Sequence, residues 1–264
     1  MDNASTQTLD TALITGASSG IGAEFARQLA SRGYGLCLVA RREERLGKLA
    51  SELERSFSMP AEVIVADLSQ GEDLERVASR IIEMPALEIL VNNAGFGLSG
   101  SFARIDYDIH RQAVQVHVLA SLRLTHAALP GMLARRSGGI INVASMAGLF
   151  PVRNVTYGAT KAFLVHFTRT LHHELHGTGL RLQALCPGLV DTDFHRLHAP
   201  MRLPGFMWST ADRVVAESLA ALERGQVICI PGRIYRLIAA LGTTPLTYPL
   251  ISFATRGASR KRPG

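Results

Sequence analysis

The sequence predicts an α/β fold, a single doubly wound parallel sheet with helices on both faces. Between residues 9 and 231, short apolar runs alternate with longer stretches of helical periodicity, which is typical of consecutive βαβ units. A glycine-rich turn joins the first apolar run to the first helical stretch, as in many sheets of this kind. The chain has 264 residues, 47% apolar and 19% charged, without a break in composition that would mark a linker. We therefore expect one main domain.

Seven apolar runs have the length of buried strands. They cover residues 9–15, 35–40, 61–66, 87–91, 139–144, 181–186 and 226–230. Helical periodicity is clear in residues 21–32, where Ile21, Phe25 and Leu29 share one face, and helices are also predicted over 43–57 and 112–129. Because parallel strands end at one edge of a sheet, we expect the functional residues to gather at the carboxyl ends of these runs.

The glycine-rich turn follows the first predicted strand directly. It runs from Thr15 to Gly22 and includes Gly16, Ser18, Ser19, Gly20 and Ile21. Gly16 allows a tight turn, Gly20 lets the backbone approach a pyrophosphate, and Gly22 permits close packing at a helix N-terminus whose free amides attract anions. An ordinary strand-to-helix turn is the alternative. The glycine spacing is three residues and then one, which differs from the common one-then-two dinucleotide fingerprint.

A hydroxyl, a phenol and an ammonium group follow downstream. Tyr157 and Lys161 are four residues apart, so on a helix they share a face, and the ammonium can favour the phenolate. Ser145 can hold a substrate oxygen by a hydrogen bond. Hydride transfer to a carbonyl carbon needs proton transfer at the oxygen, and these groups suit that chemistry. A tyrosine and a lysine at this spacing also occur together on solvated helix faces.

These residues resemble the short-chain dehydrogenase/reductase family, whose pattern of Thr-Gly, three residues, Gly, one residue, Gly is matched by Thr15 to Gly22. Three further motifs match in the family's order, and the resemblance implies that they bind a nicotinamide cofactor together with the glycine turn, Tyr157 and Lys161. They are Asp67 and Leu68 on the adenine side, Asn93, Ala94 and Gly95 after the fourth strand, and Pro187, Gly188, Val190 and Thr192 on the nicotinamide side. The resemblance thus implies a Rossmann-type fold. The stretch 96–100 and the apolar C-terminal extension are similar to those of bacterial reductases related to ketoacyl and ketosteroid reductases.

The end of the second predicted strand indicates which cofactor is used. An acidic residue there would bond the ribose hydroxyls of NAD, but Arg41 and Arg42 occupy the place. A guanidinium suits a 2′-phosphate, so Arg41, with Arg42 and Ser18 assisting, favours NADP(H) over NAD(H). The alternative is that an arginine merely caps the following helix.

His117 departs from the family pattern, because relatives usually carry at this place an asparagine that helps to hold a proton-relay water. A histidine ring can hold such a water, or can supply a second titrating group near neutral pH. It can equally signal weakened catalysis. The hypothesis drawn from the sequence is that His117 preserves activity with a changed pH profile.

The resemblance implies an NADP(H)-dependent oxidoreductase that transfers hydride between nicotinamide and a carbonyl or secondary alcohol. Ser145 would hold the substrate oxygen, Tyr157 would act as acid and base, and Lys161 would support both the cofactor and the phenol. The apolar stretch 190–208 is expected to cover a lipophilic ketone or 3-oxoacyl substrate. A non-catalytic NADP(H)-binding sensor and an interaction protein on the same fold are the alternatives.

The predicted organisation has a flexible N-terminus at 1–8, the catalytic domain at 9–232 with its lid at 190–208, and an apolar extension with a basic tail at 233–264. Residues 1–9 carry no signal region, so a cytoplasmic location is expected. The extension is a poor membrane-spanning candidate; packing on the pocket or on a partner subunit competes with peripheral contact to an anionic membrane. The formal net charge is +6, and no nucleic-acid motif accompanies it.

Cys37, Cys186 and Cys229 are expected to be buried, unpaired thiols, because each lies in or beside a strand-like run. Three histidines at 172, 173 and 176 lack a convincing further ligand, so no metal site is expected. The family resemblance implies a homodimer or homotetramer, with Phe163, Phe167 and Leu171 packing either between subunits or against the sheet of their own chain.

Overall fold

The computed structural model describes residues 9–151, 154–193 and 204–242. Within these ranges the strands are β1 Thr11–Thr15, β2 Gly35–Ala40, β3 Ala61–Val65, β4 Leu87–Asn92, β5 Gly139–Val143, β6 Arg181–Leu185, β7 Leu189–Val190, β8 Trp208–Ser209 and β9 Ile228–Cys229. Seven of them form one parallel sheet in the order β3-β2-β1-β4-β5-β6-β9, and β7 pairs with β8. This is the predicted doubly wound sheet. The order reverses between β1 and β4, where such sheets open a crevice at their carboxyl ends.

Helices cover both faces of the sheet in the described part of the chain. They are α1 Gly20–Ala30, α2 Glu43–Phe57, α3 Gly71–Ile82, α4 Tyr107–Val114, α5 Ala120–Arg135, α6 Val155–Glu174, α7 Ala211–Glu223 and α8 Arg233–Gly242. All residues of β2 and of β5 are buried, which explains why these runs are continuously apolar in sequence.

The predicted helix over 112–129 differs from the structure. A helical stretch begins at Tyr107, passes through a π-helical turn at Gln115–Leu119, and continues as α5 to Arg135. Pro130 lies inside α5, although a proline usually marks a helix end. Pro130 and His126, whose carbonyl loses its partner, both lie on the exposed side of the helix. Water can therefore replace the missing hydrogen bond.

Two apolar layers fill the space between the sheet and the helices. Phe25, Leu29, Leu46 and Leu53 belong to the layer beneath α1 and α2, and the opposite layer lies beneath α3 and α5. The three cysteines are buried and unpaired, as predicted. Burial raises the pKa of each of their thiols to about 12, which makes them poor nucleophiles.

A chain of buried polar side chains ties β4 and β5 to α6. The Asn92 side-chain amide donates to Asn142 Oδ1 at 2.8 Å, and the Asn142 amide donates to Thr168 Oγ1 at 2.9 Å. The Thr168 hydroxyl in turn donates to the Leu164 carbonyl. Hydrogen bonds between buried groups are directional, so this chain fixes α6 relative to the sheet. The position of α6 matters because the helix carries Tyr157 and Lys161.

Several predicted segments lie wholly or partly outside the described residues. They are 1–8, the basic tail within 243–264, and the part of the predicted lid between 194 and 203. The division of the chain at 9–232 stays a prediction. Searched over its described portion, the chain contains no helix that combines the length and apolarity needed to span a bilayer.

Candidate active site

A cavity of about 390 Å³ lies at the carboxyl ends of the central strands. Its walls bring together nearly all the site residues predicted from the sequence. These are Gly16, Ser18, Ser19, Gly20, Ile21, Arg41, Arg42, Asp67, Leu68, Asn93, Ala94, Gly95, Ser145, Tyr157, Lys161, Pro187, Gly188, Val190 and Thr192. Thr15, Gly22 and His117 do not line the cavity; each lies behind its wall, in contact with residues that do.

The glycine turn is held against the loop that follows β4. The Thr15 hydroxyl accepts hydrogen bonds from the Asn93 and Ala94 amides at 2.9 and 3.0 Å, and the Asn93 side chain donates to the Thr15 carbonyl at 2.9 Å. A Cβ atom at Gly16 would lie 2.9 Å from the Ala94 Cα, and Gly16 has a φ of +67°. Only glycine meets both conditions without strain. The motifs at 15–22 and 93–95 therefore form one rigid part of the cavity wall, and the hydrogen bond of the Asn93 side chain holds the two motifs together.

Ser145, Tyr157 and Lys161 meet above the ends of β5 and β6. Asn154 caps α6 by accepting a hydrogen bond from the Tyr157 amide at 3.3 Å, so Tyr157 and Lys161 occupy the first two turns of the helix. The turn after Ser145 reaches α6 closely, because a Cβ atom at Gly148 would lie 2.6 Å from the Lys161 carbonyl carbon. This approach brings the Ser145 hydroxyl into hydrogen bonding with the Tyr157 phenol.

The ionisation of this trio differs from the simple expectation. Burial raises the pKa of Tyr157 to about 12, and the hydrogen bond with Ser145 opposes that rise. Burial lowers the pKa of Lys161 to about 8. The Lys161 ammonium donates to the Val143 carbonyl at 2.7 Å and lies 5.7 Å from the centre of the Tyr157 ring. In the protein alone, burial thus determines the pKa of the phenol, and the lowering expected from Lys161 is not seen.

His117 is fully buried in the π-helical turn behind the trio. Its Nε2 accepts a hydrogen bond from the Phe96 amide at 3.0 Å, so Nδ1 carries the ring proton and donates to Thr160 Oγ1 at 2.9 Å. The Thr160 hydroxyl then donates to the Tyr157 carbonyl at 2.9 Å. Burial, followed by the charge of Lys161, lowers the pKa of His117 well below 6.5. The structure therefore favours a hydrogen-bonding role for His117 and not a group that titrates near neutral pH.

The two arginines after β2 divide their contacts. The Arg42 guanidinium donates to the hydroxyls of Ser18 and Ser19 at 2.8 and 2.7 Å. Arg41 instead forms an ion pair of 3.5 Å with Asp67. The sequence predicted Arg41 as the main partner of a 2′-phosphate, with Arg42 assisting, but it is Arg42 that contacts the glycine turn. Arg42 immediately precedes α2, and its side chain reaches back to the turn.

Asp67 is held by its own loop as well as by Arg41. Although burial raises the pKa of its carboxyl group, the hydrogen bond from the Ser69 amide and the charge of Arg41 lower that pKa more strongly. The carboxylate is thus ionised at neutral pH and neutralises Arg41 in part. Arg41 is paired with this carboxylate, whereas Arg42 donates to the neutral hydroxyls of Ser18 and Ser19. The positive charge of Arg42 is therefore less well compensated than that of Arg41.

Sequence analysis missed several residues of the cavity wall. Strand ends supply five of them, Val39, Ala40, Ala66, Val143 and Ala144, and the predicted strand boundaries could have located these. Ser69, Gln112 and Val116 come from a loop and from the α4 region, where the sequence carries no comparable signal. Phe96 and Asp193 also line the cavity, and they lie in the stretch 96–100 and in the lid at 190–208 that the sequence had already indicated. Within the described residues no cluster of histidine, cysteine or acidic side chains is arranged to hold a metal ion.

Comparison with known proteins gives a consistent picture. A family model described as short chain dehydrogenase matches residues 10–202. A very-long-chain 3-oxoacyl-CoA reductase from Anas platyrhynchos is 34% identical over 194 residues, which are 72% of this chain and 62% of that protein. The chain thus spans less than two thirds of that relative.

Solved structures match over a larger share of the chain. A short-chain dehydrogenase from Sphingobium yanoikuyae in complex with NADPH is 32% identical, with a TM-score of 0.81 over 97% of both chains. A bulky-bulky ketone specific alcohol dehydrogenase from Comamonas testosteroni is also 32% identical, with a TM-score of 0.78 over 97% of this chain and 95% of the other.

Proposed function

The chain belongs to the short-chain dehydrogenase/reductase family of oxidoreductases, and on that premise we propose that it is an NADP(H)-dependent reductase of a lipophilic ketone or 3-oxoacyl substrate. The reaction moves a hydride between the nicotinamide and a carbonyl or secondary alcohol. One observation carries this proposal: the side chains of Ser145, Tyr157 and Lys161 meet in the same cleft as the glycine turn.

The cleft fits a dinucleotide phosphate. Gly20 lies in the cleft wall with a φ of +57°, which favours glycine, and without a side chain its backbone is open to a ligand. The N-terminus of α1 directs its free amide groups to the same place. When bound, the nicotinamide cofactor accepts or supplies the hydride. The residues that would hold it are those of the glycine turn, the 93–95 loop, Lys161 and the 187–192 loop.

Preference for NADP(H) is supported by the positive charge around Arg42. Partial burial, followed by the charges of Arg45 and Arg41, lowers the pKa of Arg42, and Asp193 opposes this only in part. Because nearby cations disfavour the positive charge of Arg42, an anion bound beside it would stabilise that charge. A 2′-phosphate beside Arg42 and Ser18 would supply that anion, and guanidinium forks suit phosphate well. NAD(H) lacks this group and is expected to bind less tightly.

The proton chemistry falls to Tyr157. Because its pKa is about 12, the phenol is protonated at neutral pH and can donate to the carbonyl oxygen as the alcohol forms. Ser145 Oγ accepts from the Ala147 amide at 3.1 Å, which leaves its own proton for the substrate oxygen or the phenol. The pKa of about 8 keeps Lys161 mainly charged at pH 7, so the ammonium stabilises the phenolate left after proton transfer.

The substrate class is supported by relatives and by the lid. Both the duck protein and the Comamonas testosteroni enzyme carry names that refer to carbonyl substrates of substantial size. In this chain the described part of the lid exposes Phe206, whose accessible fraction is 72%, and the sequence of the remaining lid is rich in apolar residues. An apolar cover suits a lipophilic ketone or an acyl chain.

Assembly and location follow as further proposals. We expect a homodimer or homotetramer; Phe163 and Phe167 stack at 5.6 Å on α6, but Phe163 and Leu171 also pack against the core of their own chain.

We propose a cytoplasmic protein with peripheral membrane contact through the C-terminal segment. Residues 233–264 contain six basic residues and no acidic one, whereas residues 1–232 contain 22 of each.

The proposal is tested by NADPH and NADH consumption across 3-oxoacyl thioesters, ketosteroids and small carbonyls, with Tyr157→Phe in parallel. We expect turnover with NADPH in preference to NADH. The Tyr157→Phe variant should lose at least about 100-fold in kcat/KM, because general acid catalysis is removed, while binding NADPH as the parent does. Retained turnover in the variant would remove Tyr157 from the proton transfer. Cofactor binding without turnover would instead favour the non-catalytic sensor.

A further inference from the structure

The C-terminal helix reaches the cofactor cleft through one side chain. Tyr235 on α8 is 6% exposed, and its ring lies against Gly188 in the loop that follows β6. A Cβ atom at Gly188 would lie 2.1 Å from the ring carbon Cζ. The backbone of Gly188 does not have the positive φ that favours glycine. It is therefore the Tyr235 ring that excludes any larger residue at this place.

The Tyr235 hydroxyl joins two segments of the site wall. It accepts a hydrogen bond from the Leu189 amide at 3.0 Å and donates to the Met207 carbonyl at 2.6 Å. Leu189 begins β7, and Met207 immediately precedes β8, which pairs with it. A single phenol thus closes one end of the two-stranded sheet formed by the 187–190 loop and the base of the lid.

The helix that carries Tyr235 is itself fixed to the body of the protein. The Gly232 amide donates to the Glu217 carboxylate on α7 at 3.0 Å, and Arg236 pairs with the same carboxylate at 3.5 Å. Tyr235 and Ala239 also pack with Met146, the residue after Ser145. Because α8 is anchored on α7 and on the turn beside Ser145, Tyr235 has a fixed position from which to hold the loop.

We propose that Tyr235 is a positioning residue, which sets the nicotinamide end of the cofactor site by holding the 187–190 loop and the base of the lid; this inference rests on the proposed function. The loop supplies Pro187, Gly188 and Val190 to the cavity wall. The adenosine end is built by Arg42, Asp67 and their neighbours after β2 and β3, on the far side of β1, β4 and β5 in the sheet order. The direct contacts of Tyr235 are thus made at one end of the cleft.

The test separates the two ends with two ligands. NADP⁺ fills the whole cleft, whereas 2′,5′-ADP carries only the adenosine with its 2′- and 5′-phosphates and lacks the nicotinamide riboside. For Tyr235→Phe, which keeps the ring but loses both hydrogen bonds, titration calorimetry should show NADP⁺ binding weakened about tenfold. Binding of 2′,5′-ADP should stay within about twofold of the parent. Tyr34→Phe, at the opposite end of the sheet, is the matched control and should change neither affinity.

The other outcomes are equally informative. Unchanged NADP⁺ affinity in Tyr235→Phe would overturn the proposal, and so would an equal loss for both ligands with a lowered melting temperature, since that indicates general destabilisation. If the parent protein fails to bind NADP⁺ at all, it is the proposed function that fails. The two failures are therefore distinct.

A second pair of variants tests the contact of the ring with Gly188. Gly188→Ala alone should weaken NADP⁺ binding, because its Cβ atom would enter the space of the Tyr235 ring. In a Tyr235→Ala background the same substitution should cost much less, because the ring is gone. Equal losses in both backgrounds would show that Gly188 is needed for another reason and would contradict the proposed contact.

Discussion

The ring of His117 connects the loop after β4, the π-helical turn and α6 by hydrogen bonds that require one particular protonation of the ring. The Phe96 amide donates to its ring, the ring donates to Thr160, and Thr160 donates to the carbonyl of Tyr157. Every member of this chain has one direction of donation, so the neutral ring with its proton on Nδ1 is required. Protonation would place a second N–H against the Phe96 amide. The chain thus links the loop after β4 to the first turn of α6 and depends on an uncharged His117.

The neutral state of His117 predicts how stability changes with pH. In the unfolded chain the ring takes up a proton below about 6.5, but the folded protein resists that proton because the ring is buried. Protons therefore favour the unfolded state, and the free energy of unfolding of the parent should fall relative to His117→Asn as the pH drops below 6.5. The difference should change by up to about 1.4 kcal/mol per pH unit. Urea unfolding of both proteins at neutral and acidic pH measures it.

The pH–rate profile of the same variant decides between the two roles of His117. We expect His117→Asn to reduce kcat/KM, since asparagine is too short to join Phe96 and Thr160, without moving the profile between about pH 6 and pH 8. A profile that moves with the substitution would support the hypothesis drawn from the sequence, that His117 titrates during turnover.

At the scale of elements, α6 organises the loop after β4 as well as the trio of Ser145, Tyr157 and Lys161. The Asn154 side chain donates to the Leu98 carbonyl. Further along, His110 on α4 bonds the Phe102 carbonyl at 3.1 Å and Thr156 Oγ1 at 2.7 Å. A carbonyl can only accept, so His110 carries its proton on Nε2 and accepts from Thr156. The loop between Phe96 and Ile105 is thus attached to the helix that bears Tyr157.

This attachment predicts a selective effect of His110→Phe. The variant keeps an aromatic ring beside Phe102, whose centroid lies 4.6 Å from that of His110, but loses both hydrogen bonds. The KM for the carbonyl substrate should rise by roughly fivefold to tenfold, because the loop is less well ordered, while the KM for NADPH changes little. His126→Phe on the exposed side of α5 is the control. Equal changes in both KM values would contradict an effect confined to the carbonyl substrate.

The sequence predicted those parts of the site that depend on neighbours along the chain. The glycine turn, the strand ends and the pair Tyr157 and Lys161 follow from local spacing, and the structure brings them into one cleft. Contacts between distant segments were out of reach. Tyr235 meets Gly188 although 46 positions, including the helix α7, separate them in the sequence, and the partner of His117 on α6 depends on how the π-helical turn rotates the ring. Packing geometry, which periodicity does not encode, determines both contacts.

Across the whole molecule, charge is distributed unevenly. Residues 1–232 are balanced, so the net charge of +6 resides in residues 233–264. The part of this segment that the structure describes is α8, whose inner face holds Tyr235 and Ala239 in the core. Its outer face exposes Leu237 and Leu241, with accessible fractions of 59% and 50%, beside Arg233 and Arg236. The helix itself carries no acidic residue, although Arg236 also pairs with Glu217 on α7. Apolar side chains flanked by basic ones are typical of helices that lie on anionic lipid surfaces.

This distribution predicts binding of the full chain to anionic vesicles. Sedimentation should show binding to phosphatidylcholine vesicles that contain about one third phosphatidylglycerol, and little binding to phosphatidylcholine alone. Raising the salt from about 0.1 M to about 0.5 M should weaken it, because the interaction is screened. Leu237→Glu should lose most of the binding, whereas Ile82→Glu, at a residue 65% exposed on α3, should keep it. Equal vesicle binding by the Leu237→Glu and Ile82→Glu variants would show that α8 does not contact the lipid. Any binding would then depend on charge alone, and the outer face of α8 would be available to a partner subunit.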